Sequence, residues 1–581
     1  MALTFCPSVW VEAGCSKEQN RALLEIRNST HGLAFDDFDG SHCCHSRHSI
    51  WCDKDHVKVT SIVLSMDHMK VPSITWYPND NLPSTIFSNQ SKISKFKISG
   101  NRLEGVLSFS IFVNASSLHH LDLSNKKLEV ETESPSWVPT FQLEPLNLTI
   151  KLQPQQEECI PCTLFFHMNI TGLHLSGNKI DGSFLDCSAN GTSPLESLDI
   201  FDNHVKGSLP ENIGYLLPSL IRIDMSLNAL EGNIPLSFGC PPLHGVDFSH
   251  NMLLGTVPQN LTSTGTRLML LDLSNNKLQG QMLPKDANMT MLRILRLSSN
   301  HFEGVISPTI LKSQYLLILD VRDNDLSGNI PEWLYDHSRF VALILSGNRF
   351  EGHLTQRLYR MKTLQAFVIS RNRLSGGIPS NLDNITFWCW EFVIWMMTAI
   401  DLSFNQLTGS IPFEMGELSQ LRFLNLLNNS LIGFIPISFQ NLRSLECLDL
   451  SHNHLRGRIP SKLVALTSLS VFIVAYNNLS GRIPFECQFS TFTSQCYEGN
   501  TELCEEPLPR KCLTTNQSEL EEKQGIRTID HPNFLFYAFV TVSYALRFWA
   551  FCGILIIKKN WRHKYFRAVD GYIESLFEML S

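Results

Sequence analysis

The sequence predicts an α/β-type solenoid with a parallel sheet along one side. Three observations predict it: a frame L-x-x-L-x-L-x-x-N-x-L-x-G recurs, its steps are 24 residues over long stretches, and a short apolar strand segment opens each copy. The Asn of the frame falls at Asn101, Asn178, Asn203, Asn228, Asn251, Asn276, Asn300, Asn324, Asn348, Asn372, Asn405, Asn429, Asn453 and Asn477. Every step from Asn276 to Asn372 is 24 residues, and so is every step from Asn405 to Asn477. A fixed period in the range of about 20–50 residues marks a repeat architecture. It lets 581 residues form one elongated body instead of several domains.

Each position of the frame has a physical reading. In the segment Leu268–Leu273, LMLLDL, strand alternation sends Leu271 and Leu273 inward and Asp272 outward. Asn276 turns the chain, and a buried Asn side chain can satisfy backbone groups of neighbouring turns. Leu278 re-enters the core and Gly280 permits the next bend. An Ile-Pro step follows at Ile234-Pro235, Ile330-Pro331, Ile411-Pro412, Ile435-Pro436, Ile459-Pro460 and Ile483-Pro484. Proline fixes φ and lacks a donor, which suits an extended convex side. One unit cannot bury its apolar face alone, so roughly fourteen must stack to make a continuous core. Strands about 4.8 Å apart then line an arc on the order of 65 Å. This is the plan of a leucine-rich-repeat horseshoe with a parallel concave sheet, which offers an extended binding surface in place of a catalytic cleft.

Composition narrows the setting. The apolar share of 43% is ample for such a core, and a net charge of -8 carries no nucleic-acid footprint. The 16 cysteines bunch near the two ends, as disulfide-stapled caps in an oxidising compartment would. Glycosylation sequons occur at Asn28, Asn89, Asn114, Asn147, Asn169, Asn190, Asn260, Asn288, Asn384, Asn428, Asn478 and Asn516, all before a C-terminal apolar segment. That segment, residues 534–557, is long enough for one transmembrane helix. Glu519, Glu521, Glu522 and Asp530 precede it, and Lys558, Lys559, Arg562, Lys564 and Arg567 follow it. The charge bias places the repeats outside the plasma membrane and residues 558–581 in the cytosol, a single-pass type I arrangement. Arg547 stands mid-segment, where it costs about 2.5–3.5 kcal/mol on the insertion scale. It is read either as a pairing group for a partner helix or as a tolerated substitution. Residues 1–14, MALTFCPSVWVEAG, form a degenerate signal peptide without a basic start and interrupted by Pro7, or else mark a lost beginning.

The repeats from Thr398 to Leu463 closely resemble the last repeats of plant leucine-rich-repeat receptor-like proteins, which lack a kinase domain. "NNLSGRIP", "QFSTF", "YEGNTELCEEPLPRKC" and "LHHLDLSNKKLEVETESPSWVPTFQLEPLNLT" resemble that family too, so the resemblance covers nearly the whole chain. It implies an N-terminal cysteine cap over residues 15–58 with bridges Cys15 to Cys43 and Cys44 to Cys52. From the residues alone, all three pairings of these four cysteines stay open. It implies repeats over 59–485, irregular at 127–171 and 384–397, and a C-terminal cap over 486–513 holding Cys504 and Cys512. An acidic juxtamembrane segment spans 514–533. A metal cluster of His42, Cys43, Cys44, His45, His48 and Cys52 is disfavoured by the adjacent cysteines and the oxidising context. Cys159 and Cys162 form a C-x-x-C with no βαβ unit around it. No cofactor or metal is expected.

The tail of about two dozen residues is far too short for a kinase and carries none of its motifs. By resemblance, a partner receptor kinase supplies signalling. The expected function is a plant cell-surface receptor that binds an extracellular peptide, protein or microbial ligand, with defence as the setting. The alternatives are a secreted binder or enzyme inhibitor, and a truncated non-functional receptor. No Ser/His/Asp order, metal frame or phosphate loop points to an enzyme. Outward strand positions hold Asp199, Asp224, Asp247, Asp272, Asp320, Asp401 and Asp449, which read as a solvated acidic face. Ligand-binding candidates are the individual residues among them: Phe201, Arg296, Arg322, Asp323, Arg371, Phe404 and Tyr476. Two stretches depart from the frame, which lapses from Lys126 to Asn178 and widens from Asn372 to Asn405 around the apolar run ITFWCWEFVIWMM.

Overall fold

The computed structural model describes residues 171–177, 180–185, 191–263, 267–380 and 398–512, together with Arg21, Leu24 and the backbone of short strands between 50 and 148. Two compact units are distinguished, residues 1–388 with 398–510, and residues 389–397 with 511–581. The description below is of the first.

Among the described residues, eighteen strands form one long sheet. Ile50–Cys52 pairs antiparallel with Val59–Val63. From there every neighbour is parallel and in sequence order, through Lys95–Lys97, His120–Leu123, Leu146–Leu148 and Gly172–His174, and then one strand per repeat to Val471–Ile473. Leu146–Leu148 lies where the frame lapses, and it pairs with the strands on both sides. The sheet therefore continues where the Asn of the frame does not.

Register converts the 24-residue period into columns. Leu271, Leu295, Leu319, Leu343, Phe367, Ile400, Leu424, Leu448 and Phe472 face one another across successive strands. All are buried, so each repeat closes its neighbour's core. Across this core, a second set of short parallel strands follows each frame Asn, for example Ala229–Asn233 and Asp325–Asn329. Gly280, at φ 76°, makes the bend expected of it. The prolines Pro235, Pro331, Pro412, Pro436 and Pro460 sit in extended conformation and lead directly into 3-10 helices such as Phe413–Glu417 and Ile437–Asn441. These five alternations of strand, bend, proline and short helix contain no long helix. No helix among the described residues is long and apolar enough to cross a membrane.

The frame Asn holds the stack together. Asn300 donates from Nδ2 to the carbonyls of Leu273 (2.9 Å), Leu297 (3.1 Å) and Ser298 (3.2 Å). Its Oδ1 accepts the Leu278 N–H at 3.0 Å. Leu273 and Leu278 belong to the preceding repeat, so one buried amide satisfies backbone in two repeats. Asn276, Asn324, Asn348 and Asn372 repeat the pattern. At the C-terminal end the core is closed by rings: Phe472 packs against Phe489 (4.8 Å), Phe492 (5.7 Å) and Tyr497 (6.0 Å). The "QFSTF" segment supplies this plug. Cys504 and Cys512 are each disulfide-bonded.

Several sequence expectations lie outside the described residues: Cys15, Cys43, Cys44, Cys159 and Cys162, the 534–557 segment with Arg547, and the frame residues Asn101 and Asn178. So do the sequons at Asn28, Asn89, Asn114, Asn169, Asn190, Asn384 and Asn516, while Asn147 and Cys52 are described as backbone alone.

Asn300→Leu is expected to leave the buried Leu278 N–H unpaired, to take one of two donors from the carbonyls of Leu273, Leu297 and Ser298, and to lower stability by about 1–3 kcal/mol. Urea denaturation compared with the parent chain checks this, and a loss under about 0.5 kcal/mol would refute the bonding role.

Candidate functional site

Among the described residues, no other element packs a core against the outward face of the long sheet. Register places Asp199, Asp224, Asp247 and Asp272 side by side on four successive strands. His174 precedes them, and Arg296 and Asp320 follow. The column then changes character: Ile344 and Val368 stand where the aspartates would be, before Asp401, Asn425 and Asp449 resume.

These aspartates are not the solvated face that the sequence suggests. Asp272 and Asp320 are each 5% exposed. Each Asp Oδ1 accepts the backbone N–H two residues further on, at Phe201, Ser226, Ser249, Ser274, Arg322, Ser403 and Ser451. The hydroxyls of Ser226, Ser274, Ser403 and Ser451 add a second bond to the same oxygen. An Asp side chain bonding backbone two residues on is a local turn device. The column thus shapes the end of every strand, and its charge is the consequence.

Stacked carboxylates repel. Burial pushes the Asp247 carboxyl well above its ordinary range, and Asp272 and Asp224 on the adjacent strands push it further. Burial also raises Asp320, against the opposing pull of Arg322 and then Arg296. Arg296 enters the column with Nη1 3.4 Å from Asp272 Oδ2, and Arg322 Nε lies 3.5 Å from Asp320 Oδ2. Arg296 therefore acts as a cation wedged between buried acids.

Beyond Asp320 the face turns apolar. Ile318, Ala342, Ala366 and Ala399 are neighbours in the row at the strand starts. With Ile344 and Val368 they make an apolar stretch across four repeats, in which Ile318 and Ala342 are buried and Ile344, Ala366, Val368 and Ala399 are half-buried. It has acids on both flanks, Asp320 and Asp401.

Along one border runs a ridge made by the residue before each frame Asn. Asp202, Leu227, His250, Asn275, Ser299, Asp323, Arg371, Phe404, Asn428, His452 and Tyr476 all have φ of 51–55°. Gly347 takes the same place at φ 65°. The left-handed region is open to glycine and strained for other residues, so the Asn turn imposes it. Side chains here point off the sheet. Arg371 Nη2 reaches Asp323 Oδ1 at 2.9 Å, passing Gly347. A Cβ at Gly347 would lie 2.2 Å from that oxygen. Further along, His452 and Tyr476 stack with centroids 4.4 Å apart.

The sequence candidates thus separate. Of the seven, only Arg296 lies in a strand of the long sheet. Asp323, Arg371, Phe404 and Tyr476 are corrected from strand to ridge, because the turn before the Asn begins one residue earlier than alternation suggests. Arg322 is exposed at the strand's end. Phe201 is 9% exposed, sitting at the position where most repeats have a buried serine, and presents little surface. Ile344, Val368, Ala342, Ala366 and His452 were not singled out from sequence. The loss of Asp from the frame at Ile344 and Val368 is the signal that could have found the first two. Among the described sequons, Asn260, Asn428 and Asn478 are exposed and Asn288 is half-buried. Among the described residues, no group of His, Cys, Asp or Glu is placed to hold a metal.

A stack of repeats with one parallel sheet along its length defines a leucine-rich-repeat solenoid. The Leucine Rich Repeat family model matches residues 420–442 and 444–466. The chain is 31% identical over 160 residues to Receptor-like protein 14 of Arabidopsis thaliana, covering 23% of this chain and 16% of that protein. It is 30% identical over 187 residues to Receptor-like protein 1 of the same plant, covering 28% and 17%. The matches thus span about a sixth of the length of these relatives. A leucine-rich-repeat protein of Leptospira interrogans superposes with a TM-score of 0.50 at 22% identity, over 71% of this chain and 94% of that one, a likeness of fold alone. The chain carries leucine-rich repeats and resembles plant receptor-like proteins. The resemblance is to binding proteins, not to enzymes.

Two outcomes follow from the acidic column. A carboxyl raised by the fold favours the folded state only while protonated, so the benefit is lost as pH rises through the raised value. Asp247→Asn keeps the acceptor, as Asn425 does for the Leu427 N–H at 3.1 Å. It is expected to raise the melting temperature at neutral pH and to leave it unchanged below about pH 3, where the unfolded carboxyl is also protonated. Equal melting at both pH values would contradict the repulsion. Arg296→Met is expected to destabilise by roughly 3 kcal/mol at neutral pH, since it strips a cation from buried acids. Chemical denaturation at neutral and acidic pH should show that loss shrinking on acidification, and a pH-independent loss would count against it.

Proposed function

We propose that the chain is a plant cell-surface receptor-like protein that binds an extracellular peptide or protein ligand on the outward face of the long sheet. The observation that carries this reading is the half-buried apolar stretch of Ile344, Ala366 and Val368, set between Asp320 and Asp401 and bordered by the Asp323–Arg371 ion pair. In every other described repeat from Ser197 to Asp272 this row carries an acid that the turn uses. Its absence at two adjacent repeats removes charge from the middle of an otherwise charged face.

Such a surface favours an extended ligand. Apolar side chains of the ligand would lie on Ile344 and Val368, and its polar ends would meet Arg322, Asp323, Arg371 and Asp401. An apolar centre with a polar rim is the usual anatomy of a protein interface. Arg296 is assigned a supporting role beneath this surface, because Asp272 already occupies its guanidinium. Phe404 and Tyr476 extend the ridge toward the C-terminal repeats and offer aromatic anchors there.

The remaining parts of the reading rest on the sequence. The segment 534–557 is the membrane anchor, and the exposed sequons at Asn260, Asn428 and Asn478 carry glycans. A partner receptor kinase transmits the signal, and defence is the setting. The names of the relatives support the receptor role.

The test is a response assay. Plant cells expressing the full chain are challenged with fractionated microbial and plant peptides, and calcium influx is recorded. A response that Ile344→Asp with Val368→Asp abolishes at equal surface expression is the expected result. A response undiminished in the double variant would remove the outward face as the ligand site.

A further inference from the structure

A second surface lies away from the long sheet, on the strands that follow the frame Asn in the C-terminal repeats. Several arginines of the described chain are held in acid pairs: Arg349 with Asp325, Arg357 with Glu332 and Asp336, Arg360 with Asp336, Arg371 with Asp323 and Arg422 with Glu446. Arg456, Arg458 and Arg482 are exposed and have no carboxylate partner among the described residues. They stand close together. Arg456 and Arg458 flank Gly457 in one repeat, and Arg482 occupies the place of Arg458 in the next.

Apolar side chains stand among them. Phe434 is 61% exposed and Ile432 52%. The guanidinium of Arg456 lies 5.5 Å from the centre of the Phe434 ring. Phe434 itself lies across Gly457: a Cβ there would be 2.5 Å from the ring. Arg458 lies in the same way over Gly481, 3.1 Å from where a Cβ would stand. Each glycine is thus a floor for the side chain of the preceding repeat, and the row is held flat. His454 borders the same strand, exposed and next to Ile432 in register.

We propose that this surface docks a second protein, through a segment that presents carboxylates around an apolar side chain. It is distinct from the ligand face of the long sheet. Three unpaired cations in a chain of net charge -8 call for an anionic partner. The exposed Phe434 and Ile432 select among anions. A hydrated polyuronate has no apolar side chain to cover them, whereas arginine with aromatic residues is the composition enriched in protein interfaces.

The test uses the full chain purified from plant cells and three defined probes: a glutamate–tyrosine copolymer, polyglutamate and polygalacturonate. The copolymer is expected to bind several-fold more tightly than either purely anionic probe. Arg456→Glu with Arg458→Glu and Arg482→Glu is expected to weaken that binding by about tenfold or more. The charge-matched control Arg267→Glu with Arg373→Glu and Arg443→Glu should leave it within about twofold. Phe434→Ser should erase the preference for the copolymer over polyglutamate. Polygalacturonate binding as tightly as the copolymer, with Phe434→Ser without effect, would assign the surface to a polysaccharide and overturn the proposal. An unchanged affinity in the triple variant would overturn it as well. The sequon at Asn478 borders the surface, paired in register with Arg456, so the measurement is repeated after enzymatic removal of N-glycans. Binding seen only after removal would also overturn it, because the surface would then be covered in the glycosylated chain.

Discussion

The buried asparagine amide is the interaction on which the rest of the structure depends. A solenoid of short strands has more loop than strand, and each loop brings backbone groups inside that no ladder can satisfy. Asn276, for example, donates to the carbonyls of Phe248, Leu273 and Ser274 and accepts from Leu253 N–H. Repeats are therefore joined by directional bonds as well as by apolar contact. That also explains the strained backbone beside each of them. The residue before the Asn must take the left-handed conformation, so its side chain is thrust off the sheet whatever its identity. A ridge of unlike residues, from Asp202 to Tyr476, is the by-product, and it is exposed at Asp323, Arg371, Phe404, Asn428, His452 and Tyr476.

The second constraint is electrostatic. Turning each strand with an Asp places like charges on neighbouring strands, within reach of one another and partly out of water. The chain answers in three ways along one column. Asp247 keeps its proton more firmly, Arg296 replaces one acid with a cation, and Ile344 and Val368 dispense with charge altogether. The third answer leaves an apolar stretch in the column, half-buried at Ile344 and Val368. In this sense the candidate ligand surface arises where the turn device has been given up.

The period, the inward leucines, the amide bonds of the Asn, the glycine bends and the Ile-Pro turns were all legible in the sequence, because each is a local requirement repeated many times. What depends on neighbours in space was less so. Strand alternation marked Asp272 as outward, but only the stack shows that the next strand and Arg296 cover it. Phe201 reads as an exposed aromatic until its position is aligned with the buried serines of other repeats. Asp323 and Arg371 read as strand residues, yet Gly347 at the same place in the repeat between them was the visible sign of a left-handed turn. The frame lapse after Lys126 suggested a break, whereas Leu146–Leu148 carries the sheet through it. Backbone pairing tolerates a lost Asn more readily than pattern matching does.

The central claim is that these repeats face the outside of a plant cell and are held there by the segment at 534–557. Topology tests it most directly. The full chain, tagged at its C-terminus and expressed in plant cells, is extracted with alkaline carbonate, digested with endoglycosidase, and probed for access to the tag from the cytosolic side. A glycosylated, carbonate-resistant product with a cytosolic tag is the result predicted. A product released by carbonate as a soluble glycoprotein, or one that carries no glycan, would contradict it.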